Sequence, residues 1–324
     1  MRTGGEGGLC GGIDLGGTKI QTAVVDAGGE VLGEARGPTP TSGGPDDVAE
    51  AMAAAMREAA EEASLRSEDL VGVGVGSPGD ADEKTGVVSA AKNLPGWEGG
   101  FPLAERLGEA LGAEIRIGND VQVATEAEFQ LGAGREFSTM LGVFWGTGVG
   151  GGLIIDGKPW LGRGAAGEIG HIVVERGGAR CPCGRRGCME AYAGRGAMEA
   201  EARSRHEDGQ KTDLFELMEK HGKPRLTSGI WERALDHGDK LAENLIDRAI
   251  EALGTGVASA VNLLDPEAVI LGGGLGVRFG ERLMKPLTDE MGKHLFADER
   301  PPVVRVASLG DLGGAIGASL LFSR

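Results

Sequence analysis

Short apolar runs alternate with longer amphipathic segments along the whole chain, a pattern typical of α/β proteins. The first three apolar runs predict strands at residues 12–14, 22–26 and 31–36, in an order that resembles a β-meander. Residues 46–63 are rich in Ala, Glu and Met and predict a long helix. The chain therefore begins with a small sheet that a helix follows.

The alternation continues to the end of the chain. Further strands are predicted at 70–76, 114–117, 140–145, 151–155, 268–271 and 303–306. Further helices are predicted at 103–111, 122–131, 239–264 and 313–321, and the polar stretch 207–213 predicts an exposed excursion. No linker-like change of composition marks a domain boundary. We expect a small α/β domain of residues 1–118 with about 307–324, and a large α/β domain of residues 119–306.

Composition narrows the classes of partner. A chain of 324 residues is long enough for two domains, and its net charge of −16 argues against nucleic acid and anionic membrane surfaces as partners. It does not argue against ATP, which proteins hold largely with backbone amides and a divalent cation. No apolar stretch is long enough to span a bilayer, and the first residues contain no apolar core of a secretory signal. Three of the four cysteines cluster, so we expect a reducing cytoplasm rather than a disulfide framework.

The most specific pattern lies between residues 167 and 190, where GEIGH is followed by CPCGRRGCME. Its histidine and three cysteines have the types and number of ligands that close a tetrahedral zinc site: His171, Cys181, Cys183 and Cys188. Glu168 and Glu190 flank these ligands. They suggest a rigid frame for a polar small molecule, and the alternative is a structural zinc knuckle with two surface acids.

Two glycine-rich segments join predicted strands. In GIDLGGTK, Asp14 ends a strand and the turn that follows has bare N–H groups typical of an anion-binding nest. It is not a Walker A loop, since the spacing and the following helix are missing. The second segment, GTGVGGG at 146–152, matches GxGxxG by letter, as do Gly74, Gly76 and Gly79. Neither match opens a helix after its strand, which excludes the Rossmann fingerprint.

Two further features complete the candidate chemistry. Gly272, Gly273 and Gly274 follow a buried strand and leave room for a flat ring. Asp120 follows the strand EIRIG directly and precedes a helix, so its carboxylate is expected at the ligand-binding end of a sheet. The alternative is that Asn119 and Asp120 only cap the helix.

Taken together these residues resemble the ROK family of bacterial sugar kinases. The resemblance rests on DLGGTK at 14–19, SPG at 77–79, Asn93 in NLPGW, and Asn119 with Asp120. It continues through GTGVGGG, the ExGH and CxCGxxGCxE pair at 168–190, and the three glycines at 272–274. The resemblance implies the actin-like, ribonuclease-H-like fold, with two α/β lobes and with ATP and sugar meeting in the cleft between them. The spacer between His171 and Cys181 is more charged than in relatives, and residues 201–236 look longer and more polar.

The resemblance also implies residue roles. Asp120 would be the general base that takes the proton from the sugar 6-hydroxyl, and Asp14 would help to position Mg²⁺. The sugar would contact the backbone near Gly79 and the side chains of Asn119, Glu168, His171 and Glu190. ATP would be held by Gly16, Gly17, Thr18, Lys19, Gly146, Thr147, Gly148 and Gly150, with the base at Gly272, Gly273 and Gly274. His171 would serve a structural Zn²⁺ through one ring nitrogen and the sugar through the other.

Several alternatives stay open at this point. Glucose is the expected hexose, and N-acetylglucosamine, N-acetylmannosamine, mannose and fructose are the rivals. A non-catalytic sugar sensor is a rival from another class, although this chain keeps both Asp120 and the phosphate loops. Polyphosphate is an alternative donor to ATP, and the family suggests a homodimer or a homotetramer. The family also includes repressors with an N-terminal helix-turn-helix, for which the segment before Asp14 leaves no room.

Overall fold

The computed structural model describes residues 8–91, 94–97 and 99–323. Asn93 therefore lies outside the described residues. The chain divides into two compact units, one of residues 1–135 with 308–324 and one of residues 136–307. This division lies later in the chain than the expected one near Gly118. The reason is that the helix Asp120–Gln130 packs against the C-terminal helix Gly313–Ser319 and so belongs to the first unit.

The first unit is built on a five-stranded sheet. The described strands of the unit, which include a separate pair, are β1 (Cys10–Leu15), β2 (Lys19–Val25), β3 (Val31–Pro38), β4 (Val73–Ser77), β5 (Asp80–Asp82), β6 (Val87–Ser89) and β7 (Ile115–Asn119). The sheet order is β3-β2-β1-β4-β7, with β1, β2 and β3 antiparallel and β1, β4 and β7 parallel. The predicted meander is thus confirmed. Strands β5 and β6 form a separate hairpin that the sequence did not predict, since three residues are too few to show alternation.

Helices cover this sheet. They are α1 (Pro45–Glu62), α2 (Leu103–Leu111) and α3 (Asp120–Gln130), and the C-terminal helix Gly313–Ser319 is α10. A Cβ atom at Gly12 would lie 1.9 Å from the Ala315 carbonyl oxygen, and one at Gly74 would lie 1.8 Å from that of Ala318. Both strands therefore need glycine so that α10 can approach the sheet. This packing explains the glycine at position 74 without a ligand.

The second unit repeats the same strand arrangement. Its strands are β8 (Met140–Trp145), β9 (Val149–Ile155), β10 (Lys158–Pro159), β11 (Ala268–Gly272) and β12 (Val303–Val306), in the order β10-β9-β8-β11-β12. Again the first three are antiparallel, and β8, β11 and β12 are parallel. The helices are α4 (Glu190–Ala193), α5 (Arg195–Glu207), α6 (Leu214–Lys220), α7 (Ser228–Asp236), α8 (Lys240–Leu264) and α9 (Gly273–Gly292).

Helix α8 and the stretch 207–213 have the burial that their patterns of polar and apolar residues predict. Helix α8 buries a long apolar face and begins after Asp239, whose side chain accepts a hydrogen bond from the Ala242 amide. The stretch 207–213 between α5 and α6 is largely exposed, as expected. Within the described residues, no helix combines the length and the apolar character required to cross a bilayer.

Candidate functional site

The four predicted zinc ligands lie together in the second unit. The ligand atoms of His171, Cys181, Cys183 and Cys188 all lie within 4.8 Å of one another. Cys181 Sγ lies 3.7 Å from His171 Nδ1, and Cys183 Sγ lies 3.8 Å from Cys188 Sγ. A tetrahedron with zinc–sulfur bonds of about 2.3 Å has edges of about 3.8 Å. The donor set and its spacing therefore fit a structural zinc ion.

The backbone of the loop holds these ligands in place. The amide of Cys181 donates to the Arg185 carbonyl, and the amide of Met189 donates to the Ile172 carbonyl. Burial is the largest cause that raises the pKa of the Cys181 thiol, to about 12. Because zinc binds the thiolate, metal binding at neutral pH must release protons from this cluster.

Glu190 connects the metal loop with the second glycine turn. Its Oε2 accepts a hydrogen bond of 3.0 Å from the Val149 amide, and its Oε1 lies 3.7 Å from Cys181 Sγ. A Cβ atom at Gly148 would lie 2.3 Å from Glu190 Oε2. Position 148 is therefore a glycine because the carboxylate occupies the space beside it.

Glu168 and His171 lie on the outer side of the cluster. The Nδ1 atom of His171 faces the cysteines, while its Nε2 lies 3.7 Å from Glu168 Oε2. The Glu168 side chain is 62% exposed, whereas that of His171 is 29% exposed. One nitrogen of the imidazole thus lies beside the other predicted metal ligands, and the second lies beside an accessible carboxylate.

The second glycine turn is shorter than predicted. Strand β9 begins at Val149 rather than at residue 151, and Gly150 pairs with Phe144 across the sheet. Only Gly146, Thr147 and Gly148 form the turn, because the strand pairing with β8 continues up to Val149.

The third glycine segment contributes less open space than predicted. A Cβ atom at Gly272 would lie 2.6 Å from the Phe144 ring, and Gly273 has φ +79° and lies against the Trp145 carbonyl. These two glycines are required by internal packing. A Cβ atom at Gly274 would meet nothing within 4 Å, and one at Gly146 would lie 3.9 Å from the Gly274 amide nitrogen. Room for a ligand beside the glycine turn therefore exists at Gly274.

The first glycine turn lies in the first unit between β1 and β2. The Gly16 amide donates to the Lys19 carbonyl at 3.0 Å. The amides of Gly17 and Thr18 have no hydrogen-bond partner among the described residues, which leaves them available to an anion. Lys19 belongs to β2, and its Nζ lies 3.4 Å from an Asp311 carboxylate oxygen. Asp311 is thus a neighbour of the turn that the sequence did not single out.

Asp14 lies at the end of β1 in an unusual electrostatic setting. A Cβ atom at Gly314 would lie 2.6 Å from its carboxylate carbon, so α10 closes over it. Burial and then the negative charge of Asp120 raise the pKa of Asp14 to about 7, with Lys19 opposing them. Without a bound cation this carboxylate is only partly ionised at neutral pH.

Asn119 and Asp120 begin α3, as both interpretations required. Asn119 Oδ1 accepts hydrogen bonds from the amides of Val121 and Gln122 at 3.1 and 3.2 Å, which confirms the capping alternative for this residue. A sugar contact by Asn119 would therefore use its amide nitrogen. Asp120 is the first residue of α3, and its Oδ1 lies 2.9 Å from the Val121 amide nitrogen.

The remaining features are the turn at Gly79 and two arginines that lie beside the second glycine turn. Gly79 has φ +85°, and a Cβ atom there would lie 2.5 Å from the Ser89 carbonyl oxygen, so the turn requires glycine at this position. Arg195 and Arg225, which no sequence motif singles out, line a cavity together with Thr147. The available signal was a cation at the start of a helix, an unfavourable position for it.

Comparison with known proteins gives a consistent result. The model of the ROK family matches residues 10–324. A glucokinase of Halalkalibacterium halodurans is 34% identical over 320 residues, which cover 96% of this chain and 93% of that protein. An N-acetyl-D-glucosamine kinase of Escherichia fergusonii is 32% identical over 322 residues, which cover 96% of this chain and 98% of that protein.

A solved structure extends this similarity to three dimensions. A ROK family glucokinase from Streptomyces griseus, in complex with glucose and AMPPNP, is 32% identical, with a TM-score of 0.82 over 97% of this chain and 99% of that chain. The expected actin-like ATPase fold is thereby confirmed. Since the family model spans almost the whole sequence, the chain belongs to the ROK family.

Proposed function

We propose that this protein is an ATP-dependent hexose kinase that transfers the γ-phosphoryl group of ATP to the 6-hydroxyl of a sugar, with D-glucose as the main substrate. The observation that carries the proposal is the position of Asp120 at the first residue of α3, directly after a parallel strand. A carboxylate at the carboxyl end of such a strand is where α/β enzymes hold catalytic groups.

Asp120 would act as the general base. Phosphoryl transfer depends mainly on positioning and on neutralising charge, so the protein must orient the hydroxyl in line with the phosphoryl group. Asp120 would accept the hydroxyl proton as the new bond to phosphorus forms. General-base assistance is typically worth about 10²–10⁴-fold in rate.

The two glycine turns would hold the phosphates. The amides of Gly17 and Thr18 in the first unit, which have no partner in the described part of the chain, would supply N–H donors of the kind that stabilise phosphoryl oxygens. The turn at Gly146 and Gly148 in the second unit would supply further donors of this kind. Asp14 would help to hold Mg²⁺, whose charge neutralises the phosphate oxygens when it is bound. A cation beside Asp14 would favour the ionised carboxylate and so lower its pKa.

Glu168, His171 and Glu190 would recognise the sugar hydroxyls. Carboxylates are hydrogen-bond acceptors and suit the vicinal hydroxyl groups of a hexose. A zinc ion held by four protein ligands has no open position for substrate, so its contribution would be to fix this loop. We further propose a cytoplasmic location, since ATP is available there and thiolate ligands stay reduced. The homodimer or homotetramer that the family resemblance suggests is also a proposal.

The choice of sugar rests on narrower support. The glucokinase of H. halodurans and the N-acetyl-D-glucosamine kinase of E. fergusonii are almost equally similar to this chain. N-acetylglucosamine is therefore the second candidate substrate. An N-acetyl group would need an apolar niche next to the sugar 2-position.

A panel of sugars tests the proposal. Glucose, mannose, fructose, N-acetylglucosamine and N-acetylmannosamine are each supplied with ATP or with polyphosphate, and the sugar phosphate formed is measured. We expect ATP with glucose to give the highest kcat/KM. Absence of turnover with every hexose and both donors would contradict the kinase assignment and favour a sugar sensor.

A further inference from the structure

A cavity of about 240 Å³ lies beside the glycine turn at 146–148 in the second unit. Its wall includes Thr147 of the turn, Arg195 and Glu199 of α5, Arg203 one turn further along that helix, and Arg225 from the segment before α7. Three arginines thus face one glutamate in a protein whose net charge is −16. The wall of the cavity is therefore positively charged, although the net charge of the chain is negative.

Among the described residues, Arg203 is the one arginine of this cavity that forms an ion pair. Arg203 donates to Glu199 Oε1 at 2.8 Å, while Glu199 Oε2 accepts from the Leu226 amide at 3.1 Å. Both carboxylate oxygens of Glu199 therefore already accept hydrogen bonds. Among the described residues, neither Arg195 nor Arg225 has a carboxylate oxygen within 4.0 Å of its guanidinium.

Arg195 is held in place rather than free to move away. Its guanidinium donates to the Leu226 carbonyl at 3.1 Å and to Thr147 Oγ1 at 2.8 Å. It is also the first residue of the thirteen-residue helix α5, where the helix dipole opposes a positive charge. Burial is the larger cause and the charge of Arg225 the smaller cause that lower the pKa of Arg195, while the charge of Glu199 opposes them.

We propose that this cavity is a binding site for a phosphate-bearing anion, held by Arg195 and Arg225 and continuous with the glycine turn through Thr147. Guanidinium groups bind phosphate oxygens through paired, charge-assisted hydrogen bonds. The proposal extends the proposed kinase function, because it adds a specific cationic site to the phosphate-donor region. The anion is a chain of phosphates, supplied either by the nucleotide or by inorganic polyphosphate.

Calorimetric titration of the full chain with sodium tripolyphosphate, without magnesium or sugar, tests the site. We expect Arg225→Gln and Arg195→Gln each to weaken binding by about tenfold or more, as the loss of a hydrogen bond between charged groups predicts. Arg225→Lys keeps the charge and should stay closer to the wild type. The matched control is Arg282→Gln, which removes an exposed arginine of α9 that pairs with Asp236 and should leave binding unchanged.

Competition with ATP identifies the source of the phosphates. If ATP displaces tripolyphosphate and Arg225→Gln weakens both, the cavity holds phosphates of the nucleotide. If both bind together and Arg225→Gln weakens tripolyphosphate alone, the cavity holds a separate inorganic chain. The proposal is overturned if the wild type does not bind tripolyphosphate, or if Arg225→Gln binds it as well as the Arg282→Gln control.

This test is independent of sugar turnover. Arg225 is exposed, so its replacement is not expected to disturb folding even if that of Arg195 does, and circular dichroism confirms the fold of each variant. Loss of anion binding in Arg225→Gln together with absent hexose phosphorylation in the wild type would reject the kinase assignment and keep the anion site. The reverse result would keep the kinase and reject the site.

Discussion

At the scale of single residues, Asp14 shows how neighbours determine the chemistry of one carboxylate. It lies under α10, with Gly314 against it, and burial and Asp120 raise its pKa to about 7. A group that is poorly accommodated as an anion is well suited to bind a cation. The protein therefore keeps a locally unfavourable charge at the place where we expect magnesium.

This environment predicts a dependence of stability on pH. The native state binds a proton at Asp14 up to about pH 7, whereas an unfolded chain releases it near 3.8. The native state thus holds more protons between these values, so the contribution of Asp14 to the unfolding free energy declines as pH rises through this window. Asp14→Asn removes this titration. Without magnesium and nucleotide, we expect the variant to melt at a clearly higher temperature than the wild type at pH 8, since asparagine carries no charge to bury.

The measurement is a pair of thermal melts at pH 8 and pH 4.5. The difference between variant and wild type should shrink at the lower pH, where Asp14 is protonated in the native state. Equal melting temperatures at pH 8 would show that the carboxylate is not destabilised by its surroundings. Loss of phosphoryl transfer in the same variant would agree with the proposed role in magnesium binding.

At the scale of elements, the metal loop and the glycine turn of the second unit act as one construction. Glu190 is the first residue of α4, accepts a hydrogen bond from the first amide of β9 and lies beside Cys181. A change in the metal loop should therefore reach the turn at Gly148. Two substitutions test this connection from its two ends.

The first is Cys183→Ser. The hydroxyl of serine is a poor replacement for a thiolate, so we expect the wild type to hold about one equivalent of zinc and the variant to lose it. Metal analysis after purification without chelators gives the result. Cys10→Ser is the matched control, since Cys10 lies outside the cluster and should leave the metal content unchanged. Zinc-free wild type, or zinc retained by Cys183→Ser, would contradict the assignment.

The second is Gly148→Ala. The new methyl group would displace the Glu190 carboxylate, which is the flexible end of a side chain, so the cost in stability should be small. The loss of a correctly placed charged acceptor should raise KM for the sugar by about tenfold or more. Gly292→Ala in α9, where a Cβ atom meets nothing within 4 Å, is the control and should leave KM unchanged. A sugar KM of the wild-type value in Gly148→Ala would separate Glu190 from sugar recognition.

At the scale of the whole molecule, the sequence predicted the main elements because their apolar periodicity is strong. Strand β8 and helix α2 were predicted with the bounds that the structure has, and the zinc ligands are brought together as their spacing indicated. The repetition of one strand order in both units was not predicted, because strand pairing is determined by contacts between residues far apart in sequence. The compact units divide after Arg135 rather than near Gly118 for the same reason, since this division depends on packing between α3 and α10.

Several predicted site groups have neighbours in the fold that the sequence does not reveal, and their roles stay predictions. Lys19 was expected to hold phosphate and lies beside Asp311, and the glycines at 272 and 273 serve packing. The cavity at Arg195 and Arg225 was missed because these arginines are far apart in sequence and belong to no motif. Motif residues identify chemistry, whereas the partners of each residue depend on the fold.

The central claim is that Asp120 removes the proton from the attacking sugar hydroxyl. Its most direct test is the turnover of Asp120→Asn with glucose and ATP, measured beside calorimetric binding of glucose. We predict that turnover falls by about 10²-fold or more while glucose binds within about threefold of the wild type, since the amide keeps the size of the side chain and cannot take the proton. A variant that retains more than about a tenth of the wild-type turnover would contradict the role of Asp120 as the base.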